Sequence, residues 1–333
     1  SHIGRPKGII VKGMSLAPIS KKLSSLLNIK VLFNKNKIDE NALVEINKIP
    51  NGSVMMMENI RFHKEEEQND DSFSKKISNL GDIYVNDAFS CSHRAHASVS
   101  KITEFLPSYA GLQLETEVSA LKKVTTDIKK PVTCIIGGSK ISTKINTLLS
   151  LTTSCSDIFI GGAMANNFLK YNKFNVSSSL IEEGAERMIE MIYSSAKQTG
   201  CEIHLPVDVM LDSDQSVLVN ELDKNTEFKI LDIADSSHIV LENLVKKSDI
   251  ILWNGPMGMI EDQKFSKGSI NLSHLLAKAQ ADVVIGGGDT ILAINMAKEK
   301  FEDFYFVSTA GGAFLEALED KELLGIEALK ADL

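Results

Sequence analysis

Val132-Thr133-Cys134-Ile135-Ile136-Gly137-Gly138-Ser139-Lys140-Ile141-Ser142-Thr143-Lys144 decides the architecture. Five strand-forming residues end on two glycines, and two lysines precede a helix-period stretch. Such a strand–glycine–helix unit places backbone N–H groups where an anion can be held. The same arrangement recurs at Ile160-Gly161-Gly162-Ala163, at Ile285-Gly286-Gly287-Gly288-Asp289-Thr290, and at Ser308-Thr309-Ala310-Gly311-Gly312-Ala313. One glycine-rich turn carries little weight. Four of them behind apolar strands point to a nucleotide or polyphosphate pocket. Lys140 and Lys144, four apart, are expected on one side of a helix start, and two ammonium groups there suit a polyphosphate. The loop is not a Walker A sequence, because Gly-x-x-x-x-Gly-Lys-Ser/Thr is absent.

Outward from this unit the alternation continues. Strands are expected at 30–33, 54–57, 83–86, 132–136, 158–160, 250–253, 283–285 and 304–307, with helix-period stretches between them such as 180–196 and 272–279. This pattern predicts an α/β protein, and its parallel sheets carry helices on both faces. Ligands in such folds sit where strand C-termini feed loops and helix N-termini. A boundary is expected near Leu112. After it Leu114, Val118, Leu121, Val124 and Ile128 recur at threes and fours, and Pro131 stops the helix.

The chain has 333 residues, enough for two domains, with 43% hydrophobic and 24% charged residues. A net charge of -8 argues against a nucleic-acid or membrane-surface binder. Apolar runs such as 249–253 and 283–285 are far too short to cross a bilayer. The four cysteines, at 91, 134, 155 and 201, have no close spacing, so reduced thiols of a cytoplasmic protein are expected.

Asp289 offers an oxygen ligand for magnesium, or an N-cap for the helix that follows. Trp253 runs into Asn254-Gly255-Pro256-Met257-Gly258, and Glu261 follows where a carboxylate can accept from ribose hydroxyls. The first half is basic in a different way. Arg5 lies in a Gly-Arg-Pro turn, Arg61 follows Glu58-Asn59, and Arg94 sits in His93-Arg94-Ala95-His96. If His2, Arg5, Arg61 and Arg94 converge, they form a cationic basket for phosphate and carboxylate. His93 and His96 lack a third ligand for a metal, and Glu65, Glu66 and Glu67 read as a solvated face. A nicotinamide dehydrogenase is the default for an alternating fold. It lacks its Gly-x-Gly-x-x-Gly turn here, and the lysine pair has no role in it.

Ser-His-Ile-Gly-Arg-Pro-Lys-Gly, Glu-Asn-Ile-Arg-Phe-His, Val-Asn-Asp-Ala-Phe, His-Arg-Ala-His-Ala-Ser, Gly-Gly-Ser-Lys-Ile-Ser-Thr-Lys, Leu-Pro-Val-Asp, Trp-Asn-Gly-Pro and Gly-Gly-Gly-Asp-Thr occur in that order. Together they resemble phosphoglycerate kinase over essentially the whole chain. The resemblance implies two Rossmann-like lobes joined by an interdomain helix. It also implies reversible phosphoryl transfer from 1,3-bisphosphoglycerate to ADP, giving 3-phosphoglycerate and ATP in glycolysis. The implied organisation is a 3-phosphoglycerate-binding domain at 1–112, a helix at 113–128, a nucleotide-binding domain at 129–312 and a tail at 313–333 returning to the first domain. His2, Ile3, Gly4, Arg5, Arg61 and Arg94 are then the substrate site, and Lys140, Gly288 and Gly311 are the catalytic residues. Lys140 would follow the transferred phosphoryl group. Gly138, Lys144, Gly162, Asn254, Glu261, Gly287, Gly288, Asp289 and Thr290 would hold the nucleotide, with Asp289 the magnesium ligand. A cytoplasmic monomer is implied.

Three departures stand out. The family's opening strand, Arg-Val-Asp-Phe-Asn-Val-Pro, has no counterpart, so the chain is expected to begin inside the first domain. Ala310 replaces a glycine in Ser-Thr-Gly-Gly-Gly, and Leu231-Asp-Ile-Ala-Asp replaces Asp-Ile-Gly-Pro. The competing reading is a fragment that only binds nucleotide.

Overall fold

A computed structural model describes residues 1–35, 38–125, 130–224, 227–319 and 322–330. It divides into two compact units, Ser1–Glu115 with Glu322–Leu333, and Thr116–Lys321. The first unit contains two parallel pairs. β1 (Val31–Asn34) lies beside β2 (Val54–Met57), and β3 (Tyr84–Asn86) beside β4 (Ser108–Ala110).

The second unit is built on β5 (Val132–Ile136), β6 (Asp157–Ile160), β7 (Glu202–His204), β11 (Ile250–Asn254), β12 (Asp282–Gly286) and β13 (Phe306–Ser308). These six pair in the order β13-β12-β11-β5-β6-β7, every pair parallel. In chain order this is the doubly wound 3-2-1-4-5-6 arrangement, and it reverses direction between β5 and β11. Those two strands are buried along their whole length, as β-branched and apolar runs between two helical layers should be. Trp253, Ile135, Ile285, Leu241 and Leu272 belong to one fully shielded cluster, so the sheet forms a rigid platform for the loops at its end.

A three-stranded sheet was not foreseen: β8 (Asp208–Leu211) lies between β9 (Ser216–Leu218) and β10 (Ile230–Ile233), both antiparallel to it. The chain turns tightly at Asp214, with φ +63, between β8 and β9. The helix expected at 180–196 spans Glu186–Thr199 instead. The Leu180 carbonyl accepts from Asn166 and the Glu182 N–H donates to Asn167, which ties that stretch down as a loop. The stretch at 272–279 belongs to the helix Lys267–Leu276, and β13 starts two residues later than expected because Phe301–Asp303 forms a 3₁₀ turn. The helix after the boundary spans Leu112–Thr125; residues 126–128 of the expected 113–128 lie outside the described residues. Cys134 and Cys155 lie with Sγ atoms 2.7 Å apart, both free and buried, because β5 and β6 are neighbours that sequence spacing conceals. Burial pushes the Cys134 thiol well up. Among the described residues no helix is long and apolar enough to cross a membrane.

Candidate active site

Gly137 follows β5, Asn254 ends β11, and they meet where the sheet changes direction: the Gly137 N–H donates to the Asn254 carbonyl at 2.9 Å. A Cβ on Gly137 would lie 1.9 Å from the Pro256 oxygen, so only glycine permits this approach. Lys144 closes the crevice. Its Nζ donates to the Gly137 carbonyl and to Asn254 Oδ1, both at 2.6 Å. Asn254 is oriented for this by its amide, which donates to the Gly286 carbonyl at 2.7 Å. Burial pulls the Lys144 pKa down to about 8, with the charge of Asp289 opposing.

The expectation that Lys140 and Lys144 share one helix face fails. The helix begins at Ile145, with Lys144 as its N-cap, so 140–143 form a turn. Lys140 is exposed, whereas Lys144 is turned inward. The other glycine turns gather around the same spot. Gly162 has φ +65, and a Cβ there would come within 2.8 Å of both N and O of Gly138. Gly287 has φ +102 and caps the helix Gly288–Ala297, and the Gly311 Cβ position is 4.0 Å from the Gly287 Cα. Gly287, not Asp289, is therefore the N-cap. Asp289 is an exposed carboxylate in the first turn, and Gly288 opens onto unobstructed space. Thr290 is buried and fully engaged: its hydroxyl donates to the Gly286 carbonyl and accepts from the Gly255 N–H. It shapes the loop from inside, and Ala310, also buried, stands at the next turn.

Gly138, Gly162, Glu261 and Asp289 border a cavity of about 560 Å³ whose remaining wall is mainly aliphatic. Its floor includes Asp232, whose oxygens accept from the N–H groups of Ile233 and Gly268. Burial raises this carboxyl to about 7.

In the first unit His2, Arg61 and Arg94 come close enough for their charges to act on one another's surroundings. Arg61 is 3% exposed and donates to the Gly4 carbonyl at 3.0 Å. Asn59 sets the turn that carries it, accepting from the Arg61 N–H and donating to the carbonyls of Ile3 and Met14. His2 is held near pKa 4 by burial and by the charges of Arg61 and Arg94. His96 is lowered by burial and the same two arginines. Arg94 donates to His93 at 3.0 Å. Arg5 stays apart: it is exposed and, among the described residues, has no hydrogen-bond or ion-pair partner. Two contributors were missed. Glu66 was read as a solvated face, yet it is 2% exposed, accepts from the Ser98 hydroxyl and N–H, and has its pKa raised by burial. Glu58 accepts from Ser15 and the Leu16 N–H, fastening the loop to the end of β2.

A family model described as phosphoglycerate kinase matches residues 1–321. The chain belongs to the phosphoglycerate kinase family. The kinase of Wolbachia pipientis wMel is 42% identical over 344 residues, covering 100% of this chain and 85% of that one. That of Orientia tsutsugamushi is 41% identical, covering 100% and 84%. Among solved structures, phosphoglycerate kinase from Coxiella burnetii superposes with a TM-score of 0.89 at 33% identity, over 100% of this chain and 85% of that one. The family assignment makes this chain a glycolytic phosphotransferase that acts on a nucleotide and on small phosphorylated molecules. The match extends through both units, which gives no support to a fragment that only binds nucleotide.

Proposed function

We propose that the second unit holds ADP or ATP and the first holds 3-phosphoglycerate or 1,3-bisphosphoglycerate, with the residues divided as their geometry suggests. The observation that carries this reading is the glycine-walled crevice at the sheet's reversal point. There Lys144, the turns that lead into the helices at Ile145, Gly162 and Gly288, and an adjoining cavity occur together. Phosphoryl transfer asks the protein chiefly for positioning and for charges set in advance. Lys144, tied to two carbonyls and a carboxamide, is a fixed positive wall for the nucleotide phosphates. Lys140, exposed on its turn, is free to follow the moving phosphoryl group. Gly288 and Gly311 present unobstructed backbone to it, and Glu261 at the cavity rim accepts from the ribose hydroxyls. Asn254 serves by orienting Lys144, and Thr290 by shaping its loop.

Asp289 fits a magnesium ion: it is an exposed carboxylate beside the phosphate loops, and magnesium commonly takes one or two carboxylates plus substrate phosphates. When bound, the ion neutralises charge on the terminal phosphates. In the first unit Arg61, Arg94 and His2 receive the glycerate's phosphate and carboxylate, while the backbone of Ile3 and Gly4 shapes the turn and Arg5 supplies a mobile cation. The acidic net charge supports an enzyme without a nucleic-acid partner, and the four free cysteines support a cytoplasmic one. We take it to act as a monomer. A coupled assay of the 333-residue chain with ATP, Mg²⁺ and 3-phosphoglycerate tests the reading, run beside calorimetric ADP titration. Turnover is expected; ADP binding without turnover would return the nucleotide-only reading.

A further inference from the structure

Among the described residues, the wall of the cavity beside the phosphate loops contains one buried side-chain polar atom with no hydrogen-bond partner. Asn166 lies in the helix Gly162–Tyr171, one turn after Gly162, and lines the cavity while being 0% exposed. Its amide nitrogen donates to the Leu180 carbonyl at 3.1 Å. A carbonyl can only accept, so the side chain's orientation is determined and Oδ1 is the end left over. That oxygen is buried and has no hydrogen-bond partner.

Its neighbour Asn167 supplies the contrast. Also buried, it engages both ends: the amide donates to the Ala163 and Met164 carbonyls, and Oδ1 accepts from the Glu182 N–H. The buried carboxyl group in the cavity wall, Asp232, likewise uses both oxygens. Among the described residues, Asn166 Oδ1 is the buried side-chain acceptor on this wall without a donor. Buried polar atoms are almost always paired, and an orphan acceptor costs stability until a donor reaches it. Aliphatic side chains such as Leu169, Val209, Ile230 and Met257 make up much of the remaining wall, a surface suited to the faces of a flat heterocycle.

We propose that Asn166 is a specificity-determining residue for the nucleobase, its Oδ1 accepting from the exocyclic 6-amino group of adenine. This rests on the cavity being the nucleoside site. A fixed acceptor distinguishes purines by the atom at position six. The adenine amino group donates to it, a 6-oxopurine sets two acceptors against each other, and a purine bare at that position leaves Oδ1 unpaired. Selection by pairing of this kind is sharper than selection by apolar shape.

The test compares ADP, inosine diphosphate and the diphosphate of unsubstituted purine riboside by calorimetry on the wild-type chain. ADP is expected to bind about threefold to tenfold more tightly than the unsubstituted analogue, the range of one neutral hydrogen bond, and inosine diphosphate more weakly still. Asn166→Ala should erase the difference between ADP and the unsubstituted analogue. Equal affinities in the wild type overturn the proposal even if the variant fails to fold. A Met259→Trp reporter on the cavity wall separates the two possible failures. If ADP binds without changing its fluorescence, the base lies elsewhere and the cavity reading falls as well. If the fluorescence responds and the analogues bind alike, Asn166 alone is excluded.

Discussion

On the proposed reading, the two units solve anion binding in opposite ways. The first collects charged side chains: burial and the charges of Arg61 and Arg94 lower the proton affinity of His2 and His96, and burial and the charge of Arg94 lower that of Arg61. The second relies on backbone. Glycines at strand ends let loops close on one another, and one ammonium, Lys144, fastens the crevice. A cluster of cations grips a small, highly charged acid but must be held together against its own repulsion. Buried Glu66 and the Arg61–Glu67 ion pair at 3.6 Å supply the opposing charge. A backbone cradle has no such repulsion, but it tolerates almost no added atom.

The sharpest way to break this contrast is at Lys140, the mobile cation of the backbone-built site. Lys140→Ala should lower kcat by about 10²–10³, the scale of losing one transition-state charge contact, with ADP affinity little changed. Unchanged turnover in the steady-state assay would remove it from the reaction. Arg61→Ala should weaken 3-phosphoglycerate binding by about 2–3 kcal/mol, as loss of a charge-assisted contact does, while leaving the KM for ATP in place. Equal losses for both ligands would mean the units are assigned to the wrong substrates.

The next test bears on the cradle. Gly162→Ala places a methyl against the Gly138 backbone at a φ of +65, and should destabilise by about 1–3 kcal/mol while weakening ADP. Gly288→Ala meets nothing within 4 Å and should leave thermal stability nearly unchanged. If both variants melt alike, crowding is not what reserves these positions for glycine.

The smallest effect is in pH. Folded Asp232, with its pKa near 7, keeps a proton that the unfolded chain releases near 4, so its contribution to stability falls as pH rises from about 4 through 7. His2, held near 4, resists a proton that the unfolded chain takes up below about 6.5, so its contribution is lost as pH falls through that window. Trp253, the single tryptophan, lies in the second unit and reports its unfolding by fluorescence. Asp232→Asn should flatten the dependence of that transition on pH between 4 and 7; an unchanged slope would assign the dependence to other groups.

Parallel strands between two helical layers have to be apolar and short, and each turn into a helix beside a ligand favours glycine. Five strands of the six-stranded sheet and its four glycine turns were therefore readable from residue order alone, whereas the three-residue edge strand β7 was not. The basic character of the first half was readable too, since arginine after a strand end is a local signal. The antiparallel sheet at β8–β10 was not readable, because its strands are three or four residues long and carry no strong alternation.

Which lysine faces inward depended on where the helix begins. Ile145 rather than Lys140 opens the helix, and only the Gly137 and Asn254 oxygens waiting at the sheet's reversal make burial of Lys144 tolerable. Glu66 and Thr290 likewise look like ordinary polar residues until distant partners, Ser98 and Gly255, are brought to them. Local pattern is set by period and propensity, which neighbours in sequence determine. Whether a charge or hydroxyl is buried depends on partners far along the chain, and those meet only in the folded structure.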